Sequence, residues 1–266
     1  MNPDTLSLDC TVPEGPAPAA ETIDVPLTIG AKGSTHVQRF QYSYEPDENA
    51  REPSSQSPVL RLLGPVLSRL PPLGRECLGE FLGTMLLVYV IVAVVAAAVF
   101  QGAQSGIWQV AVVIGLGVAT AIYCYNSICP AHFNPAVTIT MAVFRPRDFS
   151  ARKVLPYCLS QLAGGYAAAL LNYSFWSGYI AQAEEAAGVT RGECESVFTA
   201  QAFGEYFPNP GFQPTYCDMV ESGGFPLSVW QAFLVEVVGT ALLLFVILAV
   251  TDGRNRGVSP KFAPLL

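Results

Sequence analysis

The chain has 266 residues, a formal net charge of −7, and a composition that is 51% hydrophobic and only 13% charged. This composition excludes an ordinary soluble domain, and long apolar runs with few charges predict a polytopic membrane protein that packs in a lipid bilayer. The carboxylates cluster in the N-terminal tail and in one loop, so the acidic balance implies no basic partner. No nucleic-acid partner is expected.

Residues 1–70 are rich in Pro, Ser, Glu and Asp and have no sustained period, which predicts a disordered tail before a membrane domain over residues 71–266. The start of the tail contains no apolar core of the signal-peptide type. The stretch from Leu60 to Leu70 leaves two interpretations open. It is either a short interfacial helix or an extension of the first span.

Four apolar runs predict transmembrane helices at about residues 77–100, 107–128, 154–176 and 227–250. Small residues recur in three spans, and their aggregate pattern predicts that the spans pack closely on each other: Gly79 and Gly83, Gly115 and Gly117, and Ala163-Gly164-Gly165 with Ala167–Ala169. Basic residues precede the first span, lie between residues 145 and 153, and follow the last span, whereas the loop over residues 178–226 has only Arg191.

Cytoplasmic loops carry the excess of Lys and Arg, so the N-terminus is expected in the cytoplasm and the 178–226 loop outside. Cys194 and Cys217 share this outer loop, which leaves a disulfide between them open. The sequence favours neither the plasma membrane nor an internal membrane.

The segment from Ala131 to Thr138 reads Ala-His-Phe-Asn-Pro-Ala-Val-Thr and follows an apolar run. Asn is a preferred N-cap and Pro is favoured at the first helical position, so a helix is expected to begin at Asn134-Pro135. It should end before Arg145-Pro146, because the residue before a proline is disfavoured in a helix. A helix over residues 135–144 is ~15 Å long, half of a ~30 Å hydrocarbon core. We therefore predict a half-helix that re-enters from the cytoplasmic side.

Capping would use the side-chain oxygen of Asn134 and leave its NH2 group free to donate. A donor that cannot ionise, at the positive end of a half-helix, suits a neutral oxygen such as that of water or a polyol, and this end repels cations. The non-helical loop before Asn134 can exist at membrane depth only if it is buried in protein or lines a watery cavity. Its carbonyl groups would then form a row of acceptors.

Glu80 and Glu236 are the only acidic residues inside the predicted spans, and each begins the pattern Glu-x-x-Gly-Thr-x-Leu-Leu. The two copies run in opposite directions, which indicates an inverted repeat. The carboxylates would be either a proton relay or acceptors for backbone N–H groups of a re-entrant loop. We favour loop support, because no second ionisable residue lies nearby in either span.

The spacing from Glu80 to Asn134, counted from Glu236, falls beyond Leu266. The last residues, 262–266, have the composition of the beginning of a fifth span. We therefore expect this sequence to be C-terminally truncated and to lack a second half-helix.

With Ala-His-Phe-Asn-Pro-Ala-Val-Thr between spans and Glu-x-x-Gly-Thr opening two of them, residues 74–266 resemble the major intrinsic protein family of aquaporins and glycerol facilitators. The outer-loop run Gly188–Glu193 and the run Arg152–Tyr157 resemble the glycerol-conducting branch. The resemblance implies an all-α, aquaporin-like inverted-repeat bundle with a re-entrant half-helix and an incomplete second repeat. It also implies a homotetramer with one pore per subunit.

The resemblance also implies functional residues. In the motif Asn134-Pro135-Ala136, the Asn side chain would donate to the passing solute, and the carbonyls of Pro130, Ala131 and His132 would accept. Cys129-Pro130 replaces the usual Ser-Gly of the family. Ile114 stands where the family usually has a bulky aromatic residue, which implies a wider and more apolar constriction.

We therefore predict a passive channel for water and small neutral solutes such as glycerol, which the 266 residues alone would not complete. One alternative is a secondary transporter or ion channel, since both also use inverted repeats and half-helices. A second is a non-conducting regulatory or assembly subunit that uses the tail as a partner site. The chain has no nucleophile–base pair, metal-ligand spacing or phosphate loop, so no enzymatic activity, metal or cofactor is expected.

Overall fold

A computed structural model describes residues 23–28, 35–40, 58–104, 106–210, 216–224, 227–252, 254, 255, 257 and 264. The chain divides into two compact units, Met1–Gln56 and Ser57–Leu266. Most of the predicted disordered tail, and the predicted start of a fifth span at 262–266 apart from Pro264, lie outside the described residues.

The first unit contains an antiparallel pair of strands, which the sequence analysis did not predict. Strand β1 (Ile23–Thr28) pairs with β2 (Thr35–Phe40), with Ile23 opposite Phe40 and Thr28 opposite Thr35. The local signal is the alternation of Ile23, Val25 and Leu27. The overall composition of residues 1–70 does not reveal an alternation this short.

The described elements of the second unit are helices. In chain order they are α1 (Pro58–Leu67), α2 (Pro72–Gln101), α3 (Ile107–Tyr125), α4 (Pro135–Phe144), α5 (Val154–Ala187), α6 (Val197–Ala200), α7 (Tyr216–Ser222) and α8 (Val229–Val250), with short 3-10 helices at Ala151–Lys153 and Cys194–Ser196. Helix α1 is separate from α2, because Pro71 has an extended backbone. This decides between the two interpretations of Leu60–Leu70: the stretch contains a helix of its own.

Four of these helices, α2, α3, α5 and α8, are long and apolar enough to cross a membrane, and the predicted all-α membrane fold is confirmed. They overlap the four predicted spans. Helix α5 continues to Ala187, well past the predicted end at residue 176. At 34 residues it is ~51 Å long, more than the ~30 Å thickness of a hydrocarbon core.

Helix α2 lies between α3 and α5 and packs against both. Its approach to α5 depends on Gly164, because a Cβ atom there would overlap the backbone carbonyl oxygen of Phe81. Its approach to α3 places Val90 against Gly117, where a Cβ would lie 2.7 Å from a Val90 methyl carbon. Small residues let helices approach closely where no hydrophobic force drives their association.

Helix α8 contacts α4 near the ends of both helices. The guanidinium of Arg145, which follows α4, donates to the carbonyl of Leu248 at 2.9 Å and to that of Thr251 at 3.2 Å. A cation here satisfies the last carbonyls of α8 and complements the negative end of its dipole.

The loop between α5 and α8 begins after Ala187 and not at residue 178, and it is held by an ion pair and a disulfide. Arg191 Nη2 lies 2.8 Å from Glu184 Oε2, and hydrogen bonds with Glu184 raise the pKa of Arg191 above its ordinary value. The disulfide that the sequence left open joins Cys194 to Cys217, with 5.8 Å between their Cα atoms. It ties α7 to the 3-10 helix before α6.

Candidate functional site

The half-helix α4 begins and ends at the residues expected from its cap and from Arg145-Pro146. Asn134 is the N-cap, with φ −151° and ψ 127°, and its Oδ1 accepts a hydrogen bond from the amide of Ala136 at 2.8 Å. Its Nδ2 donates to no group in the described part of the chain. The half-buried Asn134 side chain therefore has its acceptor in use and its donor available.

The loop that leads into α4 is held by a carboxylate on α2. Glu80 is fully buried; its Oε1 accepts from the amide of His132 at 3.0 Å and its Oε2 from that of Phe133 at 2.8 Å. Ala131 has φ 56° and Phe133 has φ 48°, in the left-handed region. Each such non-glycine residue costs about 1–3 kcal/mol and persists only where its surroundings fix it. The paired hydrogen bonds to Glu80 do so here.

The loop lies on a glycine surface of α2, on either side of Glu80. The ring of Phe133 occupies the place of a side chain at Gly83, and a Cβ at Gly79 would lie 2.8 Å from the Sγ atom of Cys129. Within the predicted pattern of small residues at helix contacts, Gly117 and Gly164 face other helices, whereas Gly79 and Gly83 face the loop. They admit the re-entrant loop, whose backbone could not otherwise approach Glu80.

A buried glutamine on α5, which the sequence analysis missed, connects this carboxylate to the half-helix. Gln161 is 2% exposed, and its Nε2 donates to Glu80 Oε2 at 2.8 Å and to Thr138 Oγ1 at 2.9 Å. The hydroxyl of Thr138 donates in turn to the carbonyl of Asn134 at 3.1 Å. The feature of the sequence that could have identified Gln161 is its uncharged polar side chain inside a long apolar run.

His132 occupies a defined place in the same network. Its Nδ1 lies 3.2 Å from Thr138 Oγ1, and because that hydroxyl donates to Asn134, the arrangement assigns a hydrogen to Nδ1. The ring packs edge-on against Phe149 and close to Tyr157, with centroids 4.8 and 5.6 Å away. His132 thus packs among aromatic rings and hydrogen-bonds to the half-helix.

The carbonyl groups before Asn134 are uncommitted. In the part of the chain that the structure describes, no N–H or O–H donates to the carbonyls of Pro130, Ala131 or His132. The amides of His132 and Phe133 in this loop donate to Glu80 inside the protein. The carbonyl oxygens of the loop therefore remain available to accept hydrogen bonds from another partner.

A second carboxylate on α2, that of Glu76, lies one turn before Glu80. It forms an ion pair with Lys153, with 2.7 Å between Oε2 and Nζ, and accepts a hydrogen bond from the hydroxyl of Tyr157. These contacts join the N-terminal parts of α2 and α5. Neither Glu76 nor Tyr157 is among the predicted site residues, although Tyr157 ends the run that resembles the glycerol-conducting branch.

Comparison with known proteins identifies this architecture. Residues 68–266 match the family profile described as "Major intrinsic protein".

The chain belongs to the major intrinsic protein family.

Among characterised major intrinsic proteins, the chain is 40% identical over 196 residues to the glycerol uptake facilitator protein of Pseudomonas aeruginosa, covering 74% of this chain and 64% of that one. The Escherichia coli (strain K12) glycerol uptake facilitator protein is 40% identical over 200 residues, or 75% of this chain and 65% of the relative. The propanediol uptake facilitator of Citrobacter freundii is 37% identical over 194 residues, covering 73% and 65%. The chain thus spans about two thirds of these relatives' lengths.

A solved structure, the aquaglyceroporin from Plasmodium falciparum, superposes with a TM-score of 0.51 at 24% identity, over 72% of this chain and 66% of that one. At this identity the likeness supports the fold.

Two further predicted site residues of this major intrinsic protein lie on other helices. Ile114 is half-buried on α3, and Glu236 is exposed on α8. Among the described residues, no group forms a hydrogen bond with the Glu236 carboxylate. The structure therefore brings Glu80 to the re-entrant loop and does not bring Glu236 to it.

Proposed function

We propose that this chain forms part of a passive membrane channel for water and small neutral solutes such as glycerol. The observation that carries the proposal is the arrangement at Asn134, where an uncharged amide donor lies at the start of a half-helix beside three uncommitted carbonyls. A hydroxyl can accept from such a donor and donate to such a carbonyl at the same time. The facilitator relatives are named for the uptake of glycerol and propanediol, which have this chemistry.

In this proposal Asn134 and the carbonyls of Pro130, Ala131 and His132 contact the solute, and Pro135 and Ala136 complete the half-helix motif. Glu80 supports the loop by accepting its amides. We assign Glu236 the equivalent role toward a loop of the second repeat, because it begins the same Glu-x-x-Gly-Thr pattern. Ile114 contributes an aliphatic wall at the constriction.

The proposed topology places the N-terminus in the cytoplasm and the 178–226 loop outside. The distribution of Lys and Arg supports it. The Cys194–Cys217 disulfide also supports it, since disulfides persist in oxidising compartments. We further propose a homotetramer, in line with the family resemblance.

The test is stopped-flow light scattering of proteoliposomes under glycerol and sucrose gradients. The 266-residue chain is compared with a chimera in which the segment after α8 is supplied by the Escherichia coli glycerol uptake facilitator protein. We expect the chimera to conduct glycerol and water, and the 266-residue chain alone to remain at the background rate. Glycerol flux that requires a proton or sodium gradient would instead indicate a transporter, and fast flux through the short chain would contradict the need for two half-helices.

Matched variants of the chimera test the solute-contacting residue. Asn134→Asp keeps the cap acceptor but removes the free donor and adds a negative charge, so glycerol conduction should fall by at least about tenfold if one hydrogen bond of about 1.5 kcal/mol is lost at the barrier. Substitution of the exposed Leu242 by Ala on α8 is the control. It should leave the rate unchanged.

A further inference from the structure

Helix α1 has an apolar face that the protein covers only in part. On a helical projection, Leu62, Val66, Leu63 and Leu67 form one continuous arc. Leu67, at one side of this arc, is 7% exposed, whereas Leu62 and Val66, at the other side, are 78% and 52% exposed. One half of the face is therefore packed and the other half has no cover in the described protein.

The charged residues of α1 and of the turn after it all have the same sign. From Pro58 to Arg75 the chain contains three arginines and no acidic residue. Arg69 continues the stripe of Leu62 and Val66, because the backbone remains turned through Leu70, with Ser68 N donating to Gly64 O at 2.9 Å. Its guanidinium forms no hydrogen bond or ion pair with the residues that the structure describes. It is thus available to an anionic group outside the protein.

The position of α1 restricts what can cover it. The extended Pro71 interrupts the chain before α2, so α1 need not continue the axis of the span, and Arg75 Nε donates to the carbonyl of Leu70 at 3.0 Å across this turn. A helix joined by four residues to the start of a membrane span lies at the level of the lipid headgroups. Apolar side chains flanked by arginines are the composition that binds there.

We propose that α1 is an interfacial anchor, with Leu62 and Val66 inserted at the boundary of the acyl chains and Arg69 bound to the headgroup of an anionic lipid. The proposal needs only that the chain spans a membrane, and it is independent of conduction. It predicts that one face of α1 contacts lipid and the opposite face does not.

The test uses the full 266-residue chain with the photoreactive residue benzoylphenylalanine in place of Val66, reconstituted in vesicles of equal parts phosphatidylcholine and phosphatidylglycerol. The matched control carries the same probe at Ser68, which is exposed on the opposite face. After illumination, mass spectrometry should find several times more lipid adducts at position 66 than at position 68. Equal lipid labelling at the two positions, or crosslinks from position 66 mainly to a second copy of the chain, would overturn the proposal.

The charge is tested within the same vesicles, where both lipids compete for the probe at position 66. Arg69→Gln should lower the ratio of phosphatidylglycerol to phosphatidylcholine adducts by up to about fivefold, the factor expected for one basic residue near an anionic surface. Arg69→Lys should keep the ratio. A ratio that does not respond to Arg69→Gln would contradict the binding of an anionic headgroup by this residue.

Discussion

Removal of the charge of Glu80 should loosen the re-entrant loop by a predictable amount. Three donors converge on its two oxygens: the amides of His132 and Phe133, and Nε2 of Gln161. In Glu80→Gln the side chain has one acceptor oxygen and an NH2 group. The NH2 group then faces at least one of these three donors, which loses its acceptor. Hydrogen bonds to charged groups contribute about 1.5–3 kcal/mol each, and a buried unpaired group costs about 1–3 kcal/mol. We therefore expect a loss of about 2–4 kcal/mol in the free energy of unfolding.

The assay is denaturation of the 266-residue chain in mixed micelles by increasing sodium dodecyl sulfate, followed by tryptophan fluorescence. Glu236→Gln is the matched control, because Glu236 begins the same sequence pattern but forms no hydrogen bond with the residues described. It should change the midpoint little. Equal destabilisation by the two variants, or no destabilisation by Glu80→Gln, would refute the role of Glu80 as the acceptor that holds the loop.

Three further predictions concern the same chain. Gly83→Ala should lower stability by about 1–3 kcal/mol, because the new methyl group meets a loop ring; Gly115→Ala, with open space at its Cβ, should have no such effect in the same denaturation assay. Gln161→Leu should expose the loop, so maleimide labelling of the buried Cys129 should accelerate when the other free cysteines are serine, and an unchanged rate would mean that Gln161 does not hold the loop. Cys217→Ser should lower stability by about 3 kcal/mol, the value for a loop closed over 23 residues, and should speed proteolysis of the outer loop.

The sequence predicts the parts of this fold that depend on local chemistry. The limits of α4 follow from an Asn-Pro start and an Arg-Pro end, and both patterns act on adjacent residues. The four spans follow from their apolar length. The interpretation of Glu80 as a loop acceptor rested on the lack of a relay partner, and the structure places its carboxylate on the loop amides.

The parts that sequence reasoning missed depend on contacts between distant segments. Gln161 has no neighbour in sequence that indicates its partner, because Glu80 lies 81 residues away. The spacing of Gly79 and Gly83 indicates a flat helix surface but does not show which segment covers it. The part of α5 beyond residue 176 contains Glu184, an acidic residue that lowers the hydropathy of the segment and so argues against a span there. Its ion pair with Arg191 nevertheless stabilises this end of the helix.

The left-handed geometry of Ala131 and Phe133 also constrains how the protein is assembled. The chain would not adopt two such turns by itself, and Glu80, which stabilises them, is synthesised 52 residues before the first amide that it binds. Thr138 on the half-helix is then tied to Gln161, which is synthesised 23 residues later. The hydrogen bonds of Gln161 with Glu80 and Thr138 therefore form only after α5 has been synthesised, and until then this partly polar segment lacks one of its supports.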